Sequence, residues 1–401
     1  MVNDFLPPWV KKLQKSGMQK ALSTTSKSDI ISFCLGRPDN SLLILPKLNT
    51  VCKNLFSCEN LQYSPPSLEL KTYIVALMKK KQVSCTPEEV FLTTGAQQAM
   101  TLLTRLFTNK GDNILVDQLT YPGYIQAARA IHIEPVPIPV CFQTGLQIEK
   151  LMHILEHNKR PSLIYTMSEG HNPLGVSLSK NQRTQLVKLA EHYKVPIIED
   201  DAYGFLNYDP VEPPLKSYWK EGVFYIGSFS KILAPSLRVG WIITSEEIIE
   251  KLEILKESLD INTSTLSQKL VNSFFMKNYL NQHIVKLGEE YKNKRDLMVK
   301  YLKKYIPEME ISLPKSGFFI WGKLPASINT NRLFTLALEE EQVSFLPGSA
   351  FLIGEREDVQ NCLRLSFAFC PRDLIESGIQ RLARAICTYK WKNEEQYARA
   401  I

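Results

Sequence analysis

Seven short, apolar, β-branched runs, each separated from the next by enough chain for a helix, limit most strongly how this sequence can fold. They lie at residues 90–94, 113–116, 133–140, 162–167, 195–200, 223–227 and 239–244. Strands joined by helical crossovers lie parallel in one sheet covered on both faces. The expectation is therefore an α/β large domain built on a seven-stranded, mainly parallel sheet. Ligands of such sheets gather beyond the carboxyl ends of the strands, so residues that follow a predicted strand are the ones to read for chemistry.

Beyond residue 245 the pattern changes. Residues 246–305 read as long helices, with apolar positions three and four apart in 251–257 and 266–275. Residues 318–321, 343–345 and 363–367 read as short strands, with a helix at 331–340, which gives a smaller α+β domain. A chain of 401 residues exceeds what one core usually organises. The expected division is 1–45 as an N-terminal arm and part of the small domain, 46–290 as the large domain, and 291–401 as the rest of the small domain.

Charge and cysteine usage exclude several classes. The net charge of +7 comes from 48 basic and 41 acidic residues. The basic residues are scattered, which argues against nucleic acid; the short cluster Lys79-Lys80-Lys81 reads as a solvated helix face. None of the eight cysteines forms a C-x-x-C pair, so no metal site is expected, and free, mostly buried thiols are. The first residues lack a continuous apolar segment, and no apolar run is long enough to span a membrane. A cytoplasmic location is expected.

The most informative segment is Ser228-Phe229-Ser230-Lys231-Ile232-Leu233-Ala234-Pro235-Ser236-Leu237-Arg238-Val239-Gly240-Trp241, directly after a predicted strand. A lysine that attacks an aldehyde must be largely neutral, and burial near another cation lowers its pKa in that direction. Ser228, Ser230 and Arg238 offer phosphate ligands around the same point. An S-x-S-K segment followed by R-x-G-W resembles the lysine motif of the class I and II (fold type I) aminotransferases, particularly their kynurenine, 2-aminoadipate and aromatic branch. The resemblance implies pyridoxal 5'-phosphate as cofactor, covalently held by Lys231, with Ser228, Ser230 and Arg238 on its phosphate.

The same resemblance assigns further residues. Glu199-Asp200-Asp201-Ala202-Tyr203 is similar to the E-D-D-x-Y pattern, which implies Asp200 on the pyridine nitrogen and Tyr203 on the ring hydroxyl; Asp201 is the alternative acid. Asn172-Pro173-Leu174-Gly175 resembles the N-P-x-G loop, placing Asn172 near the cofactor's phenolate oxygen and the substrate carboxylate, with His171 a neighbour. Gly95-Ala96-Gln97 opens a helix whose N–H groups suit phosphate, although the family usually has serine where Ala96 stands. Tyr121 resembles the residue that stacks on the cofactor ring. Tyr63 resembles the tyrosine that reaches the neighbouring subunit's cofactor, which implies a homodimer, but the usual glycine is absent from the following Pro65-Pro66-Ser67. Arg364 resembles the arginine that grips the substrate α-carboxylate, and Gly36 the N-terminal pocket segment. The family commonly has an apolar residue where Arg37 stands, so Arg37 either meets an acidic substrate tail or points to solvent.

The similarity runs in order from about residue 31 to 371. It implies transamination between an L-amino acid, aromatic, kynurenine-like or 2-aminoadipate-like, and a 2-oxo acid such as 2-oxoglutarate. Two alternatives stay open: an amino-acid lyase running β-elimination on the same fold, which would release pyruvate without an acceptor, and a non-catalytic cofactor-binding sensor domain. The sensor reading is disfavoured because the lysine, the acid and both arginines are present and no basic recognition helix is visible.

Overall fold

The computed structural model describes residues 2–11, 19, 29–52 and 55–400. Its main sheet has seven strands: β1 (Val90–Thr93), β2 (Ile114–Asp117), β3 (Pro135–Ile138), β4 (Leu163–Thr166), β5 (Ile197–Asp200), β6 (Val223–Ser228) and β7 (Gly240–Ile243). Their order across the sheet is β1-β7-β6-β5-β4-β2-β3. Each expected strand is present, and β7 alone is antiparallel to its neighbours. Side chains alternate between two cores, as a period of two requires. Leu163 and Tyr165 enter one cluster while Ile164 enters the other, and Ile198 and Ile197 divide in the same way. Both faces are apolar, which is why these strands read as unbroken apolar runs.

The expected strand 133–140 is too long. β3 ends at Ile138, and Val140–Cys141 pairs instead with Gly145–Leu146 as a separate ribbon. Pro139 has no N–H to extend the ladder, so the chain turns there.

The direction of β7 builds the site. Gly240 pairs with Thr93 at the end of β1 on one side and with Ser228 at the end of β6 on the other. The residues just before β7 therefore arrive at the carboxyl edge of the parallel strands. A Cβ at Gly240 would stand 2.8 Å from the Gly95 carbonyl carbon and 3.0 Å from the Ala96 nitrogen, so only glycine allows this crossing.

Three helices, Glu246–Asp260, Thr265–Met276 and Tyr279–Tyr305, lead away from the sheet, and the last runs unbroken through residue 290. Beyond it a four-stranded antiparallel sheet places Glu310–Ile311, Phe319–Lys323, Cys362–Ser366 and Leu346–Pro347 side by side in that order. Ile31–Ser32 pairs in parallel with Val343–Ser344, which ties the chain after residue 30 to this second unit. Much of the expected arm at 1–45 lies outside the described residues.

All eight cysteines are free, but the expectation of mostly buried thiols needs correction: Cys34, Cys362 and Cys370 are buried, while Cys58 and Cys387 are exposed. Lys81 also departs from the expected solvated face. It lies at the end of helix Leu68–Lys80, where its ammonium pairs with the buried Asp201 carboxylate and donates to the Gly204 carbonyl at 2.9 Å. No described helix is long and apolar enough to cross a membrane, and no metal-binding cluster of His, Cys, Asp or Glu occurs among the described residues.

Candidate active site

Lys231 follows β6 by three residues and lines a pocket at the carboxyl edge of the sheet. Its Nζ donates to the Gly36 carbonyl at 2.6 Å. Burial, then the positive charge of Arg238, push its pKa down to about 8, with Asp200 opposing and Arg364 adding to the shift. An amine in this state is partly neutral at physiological pH, as a nucleophile or base must be.

Asp200 ends β5 in the same pocket. Its Oδ2 accepts from the Tyr165 hydroxyl at 2.8 Å, while its buried Oδ1 has no hydrogen-bond partner. Burial pushes its carboxyl up to about 6; the Tyr165 bond opposes this and the neighbouring Asp201 charge adds to it. Asp201 does not line the pocket: one residue further along, it faces Lys81 and the Tyr225 hydroxyl.

A polar cup closes the other end. Helix Ala96–Phe107 begins at Gly95, whose side makes no capping bond, so its terminus is open to an anion. Gly95 has φ +79°, and a Cβ there would meet the Arg238 guanidinium at 2.4 Å. Arg238 itself has φ 53°, a left-handed conformation that aims the guanidinium back between the two strand ends. It donates to Ser230 Oγ at 3.4 Å, and Ser228 Oγ lies 3.0 Å from Ser230 Oγ. Two hydroxyls, a helix terminus and a guanidinium are the donors with which a phosphate is commonly held. Gln97 Nε2 donates to the Gly123 carbonyl at 2.8 Å, pinning the turn that follows Tyr121.

Opposite the main sheet, Arg364 comes from strand Cys362–Ser366 of the four-stranded sheet and is 1% exposed. One guanidinium nitrogen donates to Asn172 Oδ1 at 2.6 Å, another to the Cys34 carbonyl, and Nε has no partner. Its carbon lies 4.0 Å from the centre of the Phe319 ring. Burial lowers even this guanidinium, to about 10. The Asn172 loop reaches it because Gly175, at φ +69°, backs directly onto the Phe319 carbonyl; a Cβ would lie 2.2 Å away. Tyr203 sits edge-on to Phe319, with ring centres 5.6 Å apart, and burial raises its hydroxyl pKa. His171 is turned behind the loop, its Nε2 3.0 Å from Asp117 Oδ2.

Every residue expected in the site, except Gly95 and Tyr63, lines this one pocket. Gly95 lies directly behind Arg238. Tyr63 is 87% exposed and away from the pocket of its own chain. In the divergent segment after it, Ser67 caps helix Leu68–Lys80, accepting from the Leu70 N–H at 3.2 Å. Sequence reasoning missed Met100, Met167 and Phe319 in the wall and Tyr165 behind Asp200, all of which look like ordinary core residues in their own segments. Arg37 is exposed and lies over the Phe369 ring, 3.7 Å from its centre.

The family model for "Aminotransferase class I and II" matches residues 29–382. The chain is 34% identical over 387 residues to aromatic-amino-acid aminotransferase 1 of Thermococcus litoralis, covering 93% of this chain and 92% of that one. It is 31% identical to the 2-aminoadipate transaminase of Thermus thermophilus, with 94% of each covered. The kynurenine aminotransferase of Pyrococcus horikoshii, solved with PMP, superposes with a TM-score of 0.90 at 31% identity, over 97% of this chain and 98% of that one.

Proposed function

The chain belongs to the class I and II aminotransferase family and is a pyridoxal-phosphate-dependent aminotransferase; we propose that it moves the amino group of an aromatic, kynurenine-like or 2-aminoadipate-like L-amino acid to a 2-oxo acid, 2-oxoglutarate first among them. The single observation carrying this reading is a buried carboxylate oxygen with no partner, Asp200 Oδ1, in one pocket with a pKa-depressed lysine and two arginines. These residues fit the cofactor. Asp200 Oδ1 is an unmet acceptor suited to a protonated ring nitrogen, the crevice bounded by Gly95 and Arg238 suits a phosphate, and Tyr121 offers a flat wall for a ring.

When bound, pyridoxal phosphate supplies an electron-accepting ring that stabilises negative charge at the substrate α carbon. The protein's own groups do the rest. Ser228, Ser230, Arg238 and the N–H groups of Ala96 and Gln97 hold the phosphate. Asp200 would keep the ring nitrogen protonated, and Tyr203 and Asn172 would serve the ring oxygen. Arg364 takes the substrate carboxylate, for which its unpartnered Nε leaves a donor free. Lys231 would hold the cofactor between cycles, and its buried, pKa-lowered amine is placed to take a proton from the substrate α carbon and to return it.

The active unit on this reading is a homodimer in the cytoplasm, with Tyr63 serving the neighbouring site. Supporting the dimer, Tyr63 sits among exposed apolar side chains, Leu61 at 63%, Leu68 at 61% and Ile261 at 62%, brought together by an Asn262 bond to the Ser64 carbonyl at 2.6 Å. Supporting the compartment, all eight thiols are free.

The test is the visible absorbance of the purified protein with pyridoxal phosphate, before and after each of a panel of amino acids, with and without 2-oxoglutarate. Bleaching by a donor and recovery on adding the acceptor supports transamination. Pyruvate released without any acceptor supports the lyase instead, and no visible band at all removes the catalytic reading.

The depressed lysine gives a pH prediction. Only the neutral amine attacks an aldehyde, and its fraction grows as pH rises through the pKa. Capture of pyridoxal phosphate by cofactor-free protein should therefore accelerate with pH to a half-point near the lowered value of about 8 and then level off. Stopped-flow absorbance across pH checks this; a rate still climbing toward the ordinary lysine value of 10.5 would contradict the assignment.

A further inference from the structure

We infer that Arg37 is the residue that selects dicarboxylate substrates, by binding the carboxylate at the far end of the substrate side chain. The inference rests on the aminotransferase reading above and goes beyond it by assigning a second acid-binding point. Lys231, Arg238 and Arg364 are the only cationic side chains in the described pocket wall, which also contains the Asp200 carboxylate. Each is already committed, to cofactor attachment, to the phosphate and to the α-carboxylate. A substrate with a second carboxylate therefore finds no counter-charge in the wall itself.

Arg37 is placed to provide one. It directly follows Gly36, which lines the pocket and whose carbonyl receives the Lys231 amine. Its guanidinium carbon lies over the Phe369 ring, 3.7 Å from the centre, and among the described residues no carboxylate or carbonyl is paired with it. Stacking restricts the side chain while leaving the edge donors free, which suits a fork that must meet a planar carboxylate.

The platform is fixed from below by a buried ammonium. Lys294 Nζ donates to the carbonyls of Ala368 at 2.9 Å and Cys370 at 2.8 Å, the two neighbours of Phe369, and pairs with the carboxylate of Asp39. The Asp39 N–H also donates to the Tyr291 hydroxyl at 3.3 Å. One lysine thus clamps the segment carrying Arg37 to the segment carrying Phe369, and Phe369 itself continues from the strand that presents Arg364.

The test compares wild type, Arg37→Leu and Arg37→Lys as holoenzymes. Turnover is measured with a dicarboxylic acceptor, 2-oxoglutarate, and a monocarboxylic one, pyruvate; binding is measured by spectral titration with unreactive glutarate and butyrate. The Leu variant should lose about tenfold to a hundredfold in the ratio of dicarboxylate to monocarboxylate kcat/KM, as expected for a lost charged hydrogen bond. Glutarate affinity should fall by a similar factor relative to butyrate, and the Lys variant should recover part of both. Unchanged ratios, or equal losses for both classes of acid, overturn the assignment. If wild type turns over no acceptor, the aminotransferase reading fails separately, and the glutarate and butyrate titration still decides the role of Arg37.

Discussion

Replacing Lys231 with alanine should leave a folded protein that still takes up pyridoxal phosphate but turns over at least about a thousandfold more slowly. General acid–base catalysis by one positioned group contributes roughly 10²–10⁴-fold, and on the proposed reading this lysine also provides the covalent attachment. The fold should tolerate the change. Lys231 sits at the pocket wall, and among the described residues its one hydrogen bond is to the Gly36 carbonyl, which the pocket can re-solvate. The phosphate cup of Ser228, Ser230 and Arg238 is untouched. The measurement pairs steady-state turnover with visible absorbance. A variant within about tenfold of wild type would sink the role of Lys231, whereas loss of both turnover and the lysine-dependent band is the expected outcome.

Asp200→Ala carries the second large effect. Removing one partner of a buried charged pair typically costs about 3–5 kcal/mol, which spent on the reacting state corresponds to roughly a hundredfold to a few thousandfold in rate. The loss should appear in kcat more than in KM, because on the proposed reading Arg364, not this carboxylate, holds the substrate. Tyr165 would lose the acceptor it meets at 2.8 Å, so a modest fall in thermal stability should accompany the kinetic effect. Asp200→Glu, which keeps the charge but lengthens the arm, should recover part of the rate. A loss of stability with kcat unchanged would make Asp200 a merely structural carboxylate.

Much of this arrangement was legible before the structure, for a definable reason. The strands of a sheet covered on both faces must be apolar at every position, so their signal needs no partner to be read. The site residues sit just past those strand ends, where serine, aspartate, asparagine and arginine stand out against the apolar runs. The choice between Asp200 and Asp201 could not be read from composition, since adjacent carboxylates differ only in the direction they face. The fold separates them: one enters the pocket and the other pairs with Lys81.

What was not legible depends on partners distant in sequence. Tyr165 looks like any residue of a core strand, and only the arrival of Asp200 beside it makes its hydroxyl relevant. Glu310–Ile311 and Leu346–Pro347 are two-residue strands defined by what they pair with rather than by their own residues. Lys81 looked solvated because nothing in its helix reveals that Asp201 lies beneath it. The seat of Arg37 on Phe369 joins segments from the two ends of the chain.

The reversed strand β7 also governs the order in which the protein can assemble. It fills the gap between β1 and β6, so the edge formed early in synthesis stays unpaired on that side until more than half the chain has emerged. Contacts between residues so far apart in sequence close late and slowly. The polar cup, shared between the start of helix Ala96–Phe107 and the turn before β7, is completed by that same closure. A ligand that binds only the closed form draws the equilibrium toward it. Pyridoxal phosphate seated in that cup would therefore favour molecules whose central sheet has been sealed.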